Sequence, residues 1–330
     1  MRALETVLAA CIVTAPVPCI VTAPAAARTV TVGPPGATSL AEAVRAASDG
    51  DTLHLPAGAY YECAVIGQRN LVIEGEGAAT VLTDTACEGK ALLVARGDGL
   101  VVRNLVLARA RVPDGNGAGI RLEGQGLMLD HVVFRNDEVG VLATGAGGTI
   151  LVRDCTFEDG GRPAPGPTAA LMVGPAALLR IERSVFTGIA GAQVATAAQR
   201  TEILGTRIAP GAEAGAAVQA GGALLSITDT EIALGPATPP RGAAIVVTAG
   251  AIVLRNDRLV NGTGQPATLL LNWTGTDATL SGNSVAPGDT EEGTGGVWRH
   301  RAGTAARAAW GGARGAAGAA KRAMSRLLGG

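Results

Sequence analysis

The chain has 330 residues, 48 of them glycine, with 47% hydrophobic side chains, 2% aromatics and a formal net charge of −1. That length supports a large core in one or two domains. The charge leaves no global field for nucleic acid or an anionic membrane, no apolar run is long enough to span a bilayer, and the scattered glycines point to turns rather than packed helices.

Residues 1–27 read as an export signal. Arg2 gives a positive start, Leu8–Val21 is largely apolar, and Ala25-Ala26-Ala27 supplies a small-residue cleavage site. The mature chain is therefore expected in the periplasm or outside the cell, without a transmembrane helix. Cys11 and Cys19 leave with the signal, while Cys63, Cys87 and Cys155 remain. In an oxidising compartment Cys63 and Cys87 are expected to form a disulfide, worth roughly 3 kcal/mol in the chain-entropy model. The alternative is two buried thiols.

A short helix is predicted from "SLAEAVRAASDG". Ser39 is its N-cap, Glu42 follows three residues later, and Leu40, Ala43, Val44 and Ala47 share one face. Gly50 then ends it and a strand begins at "TLHL".

From residue 71 the chain repeats itself. "LVVRNLVLARA" (100–110), "LMLDHVVFRND" (127–137), "ILVRDCTFEDG" (150–160) and "LLRIERSVFTG" (178–188) align, and fainter copies run on to "ATLSGNSVAPG" (278–288). The period is variable and averages about 26 residues. Apolar residues alternate within each copy, and glycines break the segments. A first inward column runs Ile73, Val102, Leu129, Val152, Ile181, Ile203, Ile227, Leu254, Leu280. A second holds all three phenylalanines, Phe134, Phe157 and Phe186, in consecutive copies. A third runs Ile120, Val141, Leu171, Val194, Val218, Ile245, Leu270. Three short strands per copy, stacked about 4.8 Å apart, make a parallel β-helix of about ten coils. Arg103, Asp130, Arg153 and Glu182 form an outward column of alternating sign. The spacing of Cys63 and Cys87 is about one coil, so they can stack as neighbours, and Cys155 is expected to be a core thiol.

The helix, the following "GDTLHLPAGAYY" and coils of this length resemble the N-terminal end of secreted right-handed parallel β-helix proteins of the pectin-lyase-like superfamily. The likeness spans residues 38–288 and implies the handedness. That superfamily includes polysaccharide lyases, glycoside hydrolases, pectin esterases, uronan epimerases and adhesins, so it does not fix an activity. "GAYYE" (58–62) matches the G-x-Y-x-E opening of pectin methylesterases, but the paired-Asp motifs of that family do not follow. The signatures of polygalacturonases and mannuronan epimerases are missing.

A uronan lyase needs carboxylate neutralisation and a base, and a hydrolase needs two carboxyl groups at a fixed separation. The richest polar region is 109–138. It offers Arg121 and His131 as catalytic candidates, and Asp114, Asn116, Arg121, Glu123, Arg135 and Asp137 as substrate-binding candidates. The competing interpretation is turn chemistry: Asp-Gly-Asn-Gly favours tight turns, and His131 fits a turn position stacked between Asn104 and Asp154. No metal is assigned, and Ca²⁺ enters only with a lyase. The outward third-strand row, Arg121, Leu142, Met172, Ala195, Gln219, Val246, Leu271, is mostly apolar for a sugar groove. Either the register slips by one or something covers this face, the C-terminal segment being a candidate.

Residues 191–203, "GAQVATAAQRTEI", resemble a coil of an uncharacterised exported bacterial subgroup of the same superfamily. Gly191, Gln193, Val194, Ala198, Arg200 and Thr201 match. Ala192, Ala195, Thr196 and Ala197 stand where that subgroup carries His, Lys, Ser and Arg, so the stretch reads as wall. After Gly288, "GDTEEGTGG" reads as a hinge, and residues 297–330 hold seven Lys/Arg and no Asp or Glu. The domains expected are a signal (1–27), a β-helix (28–288) and a basic Gly/Ala/Arg-rich tail (289–330). The function expected first is a monomeric cell-envelope protein that binds polysaccharide or acts as a scaffold with little catalysis. The alternatives are a uronan lyase or epimerase and an adhesin-like surface protein.

Overall fold

The computed structural model describes residues 27–33, 38–161, 169–209, 216–236 and 242–294. The export signal up to residue 26, and the basic tail from residue 295 on which the adhesin alternative depends, lie outside the described residues.

Alternation drives the architecture, because each strand buries every second side chain inside the coil. The third strands form one parallel sheet of ten, from Ala64–Ile66 through Ala118–Leu122 and Val139–Ala143 to Thr290–Thr294. The first and second strands share an 18-stranded sheet, folded along a corner. It counts as one sheet because Leu100–Ala108 and Leu127–Arg135 each run through that corner unbroken. All three predicted inward columns pair in the expected register: Val102 on Leu129 on Val152, Leu107 on Phe134 on Phe157, and Ile120 on Val141 on Leu171. The fold is an all-β solenoid of ten coils.

The corner between first and second strands is one left-handed residue per coil: Asn104, His131, Asp154, Arg183, Gly205, Asp229, Asn256 and Gly282, with φ from 45° to 69°. Asn, Asp and Gly tolerate this conformation; Arg183 and His131 hold it at a cost. The next residue points inward and caps the preceding coil. Cys155 N–H donates to Ser184 Oγ (3.2 Å), Thr230 N–H to Asp257 Oδ1 (2.9 Å) and Asp257 N–H to Asn283 Oδ1 (2.9 Å). The second strand carries a stack of rings. Phe134, Phe157 and Phe186 lie parallel with centroids 4.6 and 4.7 Å apart. Room for two of them comes from the opposite sheet, where a Cβ on Gly119 or Gly140 would stand 2.8 Å from the Phe134 or Phe157 ring.

Both ends are closed by side chains. The helix Leu40–Ala46 caps the N-terminal end with Leu40, Ala43 and Val44 buried, and Ser39 and Glu42 form a full capping box. Glu62 Oε2 accepts a further bond from Leu40 N–H (2.6 Å), while buried Tyr60 donates to Pro56 O (2.9 Å). Of the "GAYYE" residues, Glu62 therefore serves the cap and Tyr60 the core of its own coil. Cys63 and Cys87 form a disulfide (S–S 2.07 Å), and Cys155 is a buried free thiol.

At the C-terminal end the structure corrects the expected boundary. The stretch read as a hinge contains the strand Thr290–Thr294, paired in parallel with Thr268–Asn272, so the coils run past Gly288. Two matching clasps bind it: Asn261 donates to Gln265 O and Asp289 Oδ1, and Asn272 to Thr276 O and Glu292 Oε1, all at 2.7–2.8 Å. In each clasp the Asn Oδ1 accepts from the hydroxyl of the threonine two residues on.

Candidate functional site

The structure separates the sequence-derived candidates into three places. Arg121 and Glu123 lie on and just beyond the third strand Ala118–Leu122. Asp114 and Asn116 lie on the loop leading into it. His131 occupies the far corner between first and second strands, at φ 55°. Arg135 ends a second strand and pairs with Glu158 of the next coil (2.5 Å).

Asp137 is not presented to a ligand. It is buried in the turn before Val139–Ala143, and its Oδ1 accepts from Ala110 N–H (2.7 Å). Burial pushes its carboxyl well above the usual value, against the opposing effects of the Ala110 amide and Arg111. Neighbouring Glu138, also buried, accepts from Val112 N–H (3.1 Å) and Gly117 N–H (2.8 Å). The pair therefore pins both ends of the loop that carries Asp114 and Asn116. Asp137 is a loop clamp because backbone N–H groups buried in a non-repetitive loop need acceptors.

The outward third-strand row has the register expected: Val94, Arg121, Leu142, Met172 and Ala195 are successive partners. The face is covered, with Val94 at 0%, Leu142 at 2% and Met172 at 8% exposure. Over Val94 the cover is ionic. Glu88 and Lys90 precede the strand Ala91–Ala95, Arg96 follows it, and Glu123 follows the next. Arg96 reaches Glu88 (2.7 Å) and Glu123 (3.1 Å), and Lys90 reaches Glu123 (2.6 Å) and Glu88 (3.3 Å). Ties between the two ends of a strand must cross its outer face. Burial disfavours the Glu123 carboxylate, yet the bonds from Lys90 and Arg96 outweigh it and hold its pKa below the usual value. Sequence reasoning found Glu123 but missed Glu88, Lys90 and Arg96. The one available signal was the Glu-Gly turn at 88–89 immediately before a third strand.

Arg121 stands beside this network without joining it. It is half-buried, its Nε is buried, and among the described residues that Nε has no hydrogen-bond partner and the side chain makes no ion pair. Burial lowers its pKa, with Glu123 acting against that from a distance.

The far corner holds a second polar group. His131 Nδ1 meets Asp130 Oδ1 at 2.7 Å, and Asp154 stacks beside them so that one ligand atom of each of the three lies within 4.8 Å of the others. Each carboxylate is already engaged: Asp130 by Arg153 (2.9 Å) and Asp154 by Nε and Nη2 of Arg183 (2.9 and 2.7 Å). A cation there would have to displace arginines, so the donor set does not fit a resident metal. With Asp130 ionised, Nδ1 carries the proton and Nε2 is left as the basic nitrogen, on an exposed side chain.

Residues 191–203 contain the strand Ala192–Thr196 and the start of the next first strand. Its polar groups serve one another: Thr196 Oγ1 lies 3.2 Å from Thr201 Oγ1 and accepts from Ala198 N–H (3.1 Å).

No protein-family model and no curated protein matches the sequence. Solved structures do. The pectin methylesterase from Aspergillus niger, in a penultimately deglycosylated form, overlaps 82% of this chain and 93% of its own at 14% identity and a TM-score of 0.52. Its deglycosylated form gives 12% identity, the same coverage and 0.51. The likeness shows the fold: a parallel β-helix like that of the esterase. A PL6 family alginate lyase overlaps 82% of this chain but 40% of its own, at 14% identity and 0.47. Among the described residues no helix is long and apolar enough to cross a membrane.

Proposed function

We propose that this β-helix binds an acidic polysaccharide, a polyuronate, at the charged cluster over the third strands Ala91–Ala95 and Ala118–Leu122, with Arg121 as the carboxylate clamp. The observation that carries this is the state of Arg121: a half-buried guanidinium with no ion-pair contact among the described residues, beside cations that have one. Withdrawing a cation from water without a partner is costly. A uronate carboxylate would supply the missing acceptors, and the planar guanidinium suits it in a two-point grip. In this reading Asp114 and Asn116, on the pinned loop before the strand, supply hydrogen bonds to sugar hydroxyls. The fold likeness to a pectin methylesterase supports a carbohydrate ligand as an analogy of fold.

Titration calorimetry with polygalacturonate and alginate, and dextran as the neutral control, tests this. Binding of an acidic polymer that Arg121→Ala weakens by about tenfold to a hundredfold is the expected result. Binding that ignores this substitution, or that extends equally to dextran, would overturn it.

A second reading is elimination, with His131 as the base. It is supported by the 2.7 Å His131–Asp130 contact, which leaves Nε2 free to take a proton. Against it, the corner is convex and Arg121 lies on another face. Incubation with the same polymers, with and without Ca²⁺, should raise the ultraviolet absorbance of the unsaturated uronate product and lose that rise in His131→Ala. No rise on either polymer sinks lyase chemistry on them and leaves binding intact.

A further inference from the structure

We infer that Glu88 is a built-in competitor beside the Arg121 site, a carboxylate that holds Arg96 and Lys90 until an acidic ligand displaces it. This rests on the polyuronate reading above and adds a mode of regulation to it. Three cations, Lys90, Arg96 and Arg121, gather on and around one coil of the third-strand face. Glu123 is fixed among them by the strand it follows. Glu88 is held differently. It lies in the turn Cys87–Lys90, closed by Lys90 N–H to Cys87 O (2.9 Å), with Glu88 at φ 55° and Gly89 at φ 61°. Two successive left-handed residues make the I′ type of hairpin turn, which prefers Asn, Asp or Gly at the first of them. A glutamate is a poor choice there on backbone grounds. Backbone strain of this kind is a pointer to function when the side chain has a specific task.

The task is visible. The Glu88 carboxylate takes a two-oxygen bond from one Arg96 nitrogen (2.9 and 2.7 Å) and a contact from Lys90 (3.3 Å). That is the contact set a uronate carboxylate would make. The turn is anchored on one side by the Cys63–Cys87 disulfide, so the carboxylate is delivered to the same place in every molecule. The ion pairs are solvent-accessible, with Glu88 at 35% and Arg96 at 46% side-chain exposure, so a polymer can compete for them. With Glu88 and Glu123 in place the five-residue group carries one net positive charge; with Glu88 turned away it carries two. Occupancy of the patch is therefore an exchange of one carboxylate for another.

Neutralising Glu88 should raise affinity. Glu88→Gln keeps the shape, and Glu88→Asn suits the left-handed position, so at least one variant retains the turn. Calorimetry with polygalacturonate in low and moderate salt, with melting temperatures to confirm folding, is the test. The expected result is binding about five- to tenfold tighter than wild type in both variants, with a steeper loss on adding salt because more net charge attracts the polymer. A wild-type protein that binds, with variants that bind equally or more weakly, would overturn the displacement and leave the polyuronate reading standing. Absence of binding in wild type and both variants would overturn the polyuronate reading itself.

Discussion

Asp257 occupies the inward corner position that Thr230 and Asn283 fill in the flanking coils. It is buried, Oδ1 accepts from Thr230 N–H and Oδ2 has no partner. Burial pushes its pKa up to about 7, against the pull of the Thr230 amide. A carboxyl raised in the folded state favours folding while protonated. Its contribution is therefore complete below the unfolded value near 4 and is lost as pH rises through 7. Asp257→Asn should be more stable than wild type at pH 8 by about 2–4 kcal/mol and should flatten the profile between pH 4 and 7. Urea midpoints across that window check it, and an unchanged slope would contradict it. Asp51 has the opposite sign. The Arg28 side chain, then backbone N–H groups, hold its carboxyl at about 2. Its contribution is present above pH 4 and is lost as pH falls through 2, so Asp51→Asn should destabilise at neutral pH and converge with wild type in acid.

The strands show what a sequence can and cannot tell. The inward columns were legible because burial selects apolar residues at every second position, and the three phenylalanines fixed the phase. Their partners were not. Gly119 and Gly140 look like turn glycines, yet they make room for aromatic rings from the opposite sheet. Gly119→Ala should cost about 1–3 kcal/mol, since the new methyl meets both the Phe134 ring and the Gly140 carbonyl. Thermal melting measures it, and a Gly119→Ala, Phe134→Leu double variant should recover part of the loss. The candidate site was harder to foresee. Asp137 read as a ligand because acidic residues in a turn usually face water. It is buried because the long loop 110–117 folds back and needs acceptors for its amides. The ties of Glu88 to Arg96 and of Lys90 to Glu123 depend on side chains lying across a sheet, and variable coil lengths give no spacing rule for that. The expected break at Gly288 failed for a related reason. The strand Thr290–Thr294 is polar and carries a glycine, just as a hinge does.

As a whole the molecule is a stack in which each coil touches its neighbours and little else, so a local loss should stay local. The Cys63–Cys87 disulfide closes a 24-residue separation near one end. Replacing both cysteines with serine should cost about 3 kcal/mol of local stability. Hydrogen exchange should quicken in the strands Ala64–Ile66 and Ala91–Ala95 while Leu224–Thr228 and Ala251–Arg255 keep their protection. A uniform loss along the chain would show that the coils unfold as one unit.

The two C-terminal clasps carry a consequence for production of the protein. Asn261-Gly262-Thr263 and Asn272-Trp273-Thr274 both spell the acceptor triplet for N-linked glycans. Each asparagine has already committed both of its amide hydrogens, one to its own loop and one to an acid of the last coil. A glycosylating secretory host can therefore modify these sites only before the last coil closes, and a sugar attached then would keep Asp289 and Glu292 from docking. Protein from such a host should fall into two populations, an unmodified closed form and a glycosylated form with its final strand unzipped, separable by mass.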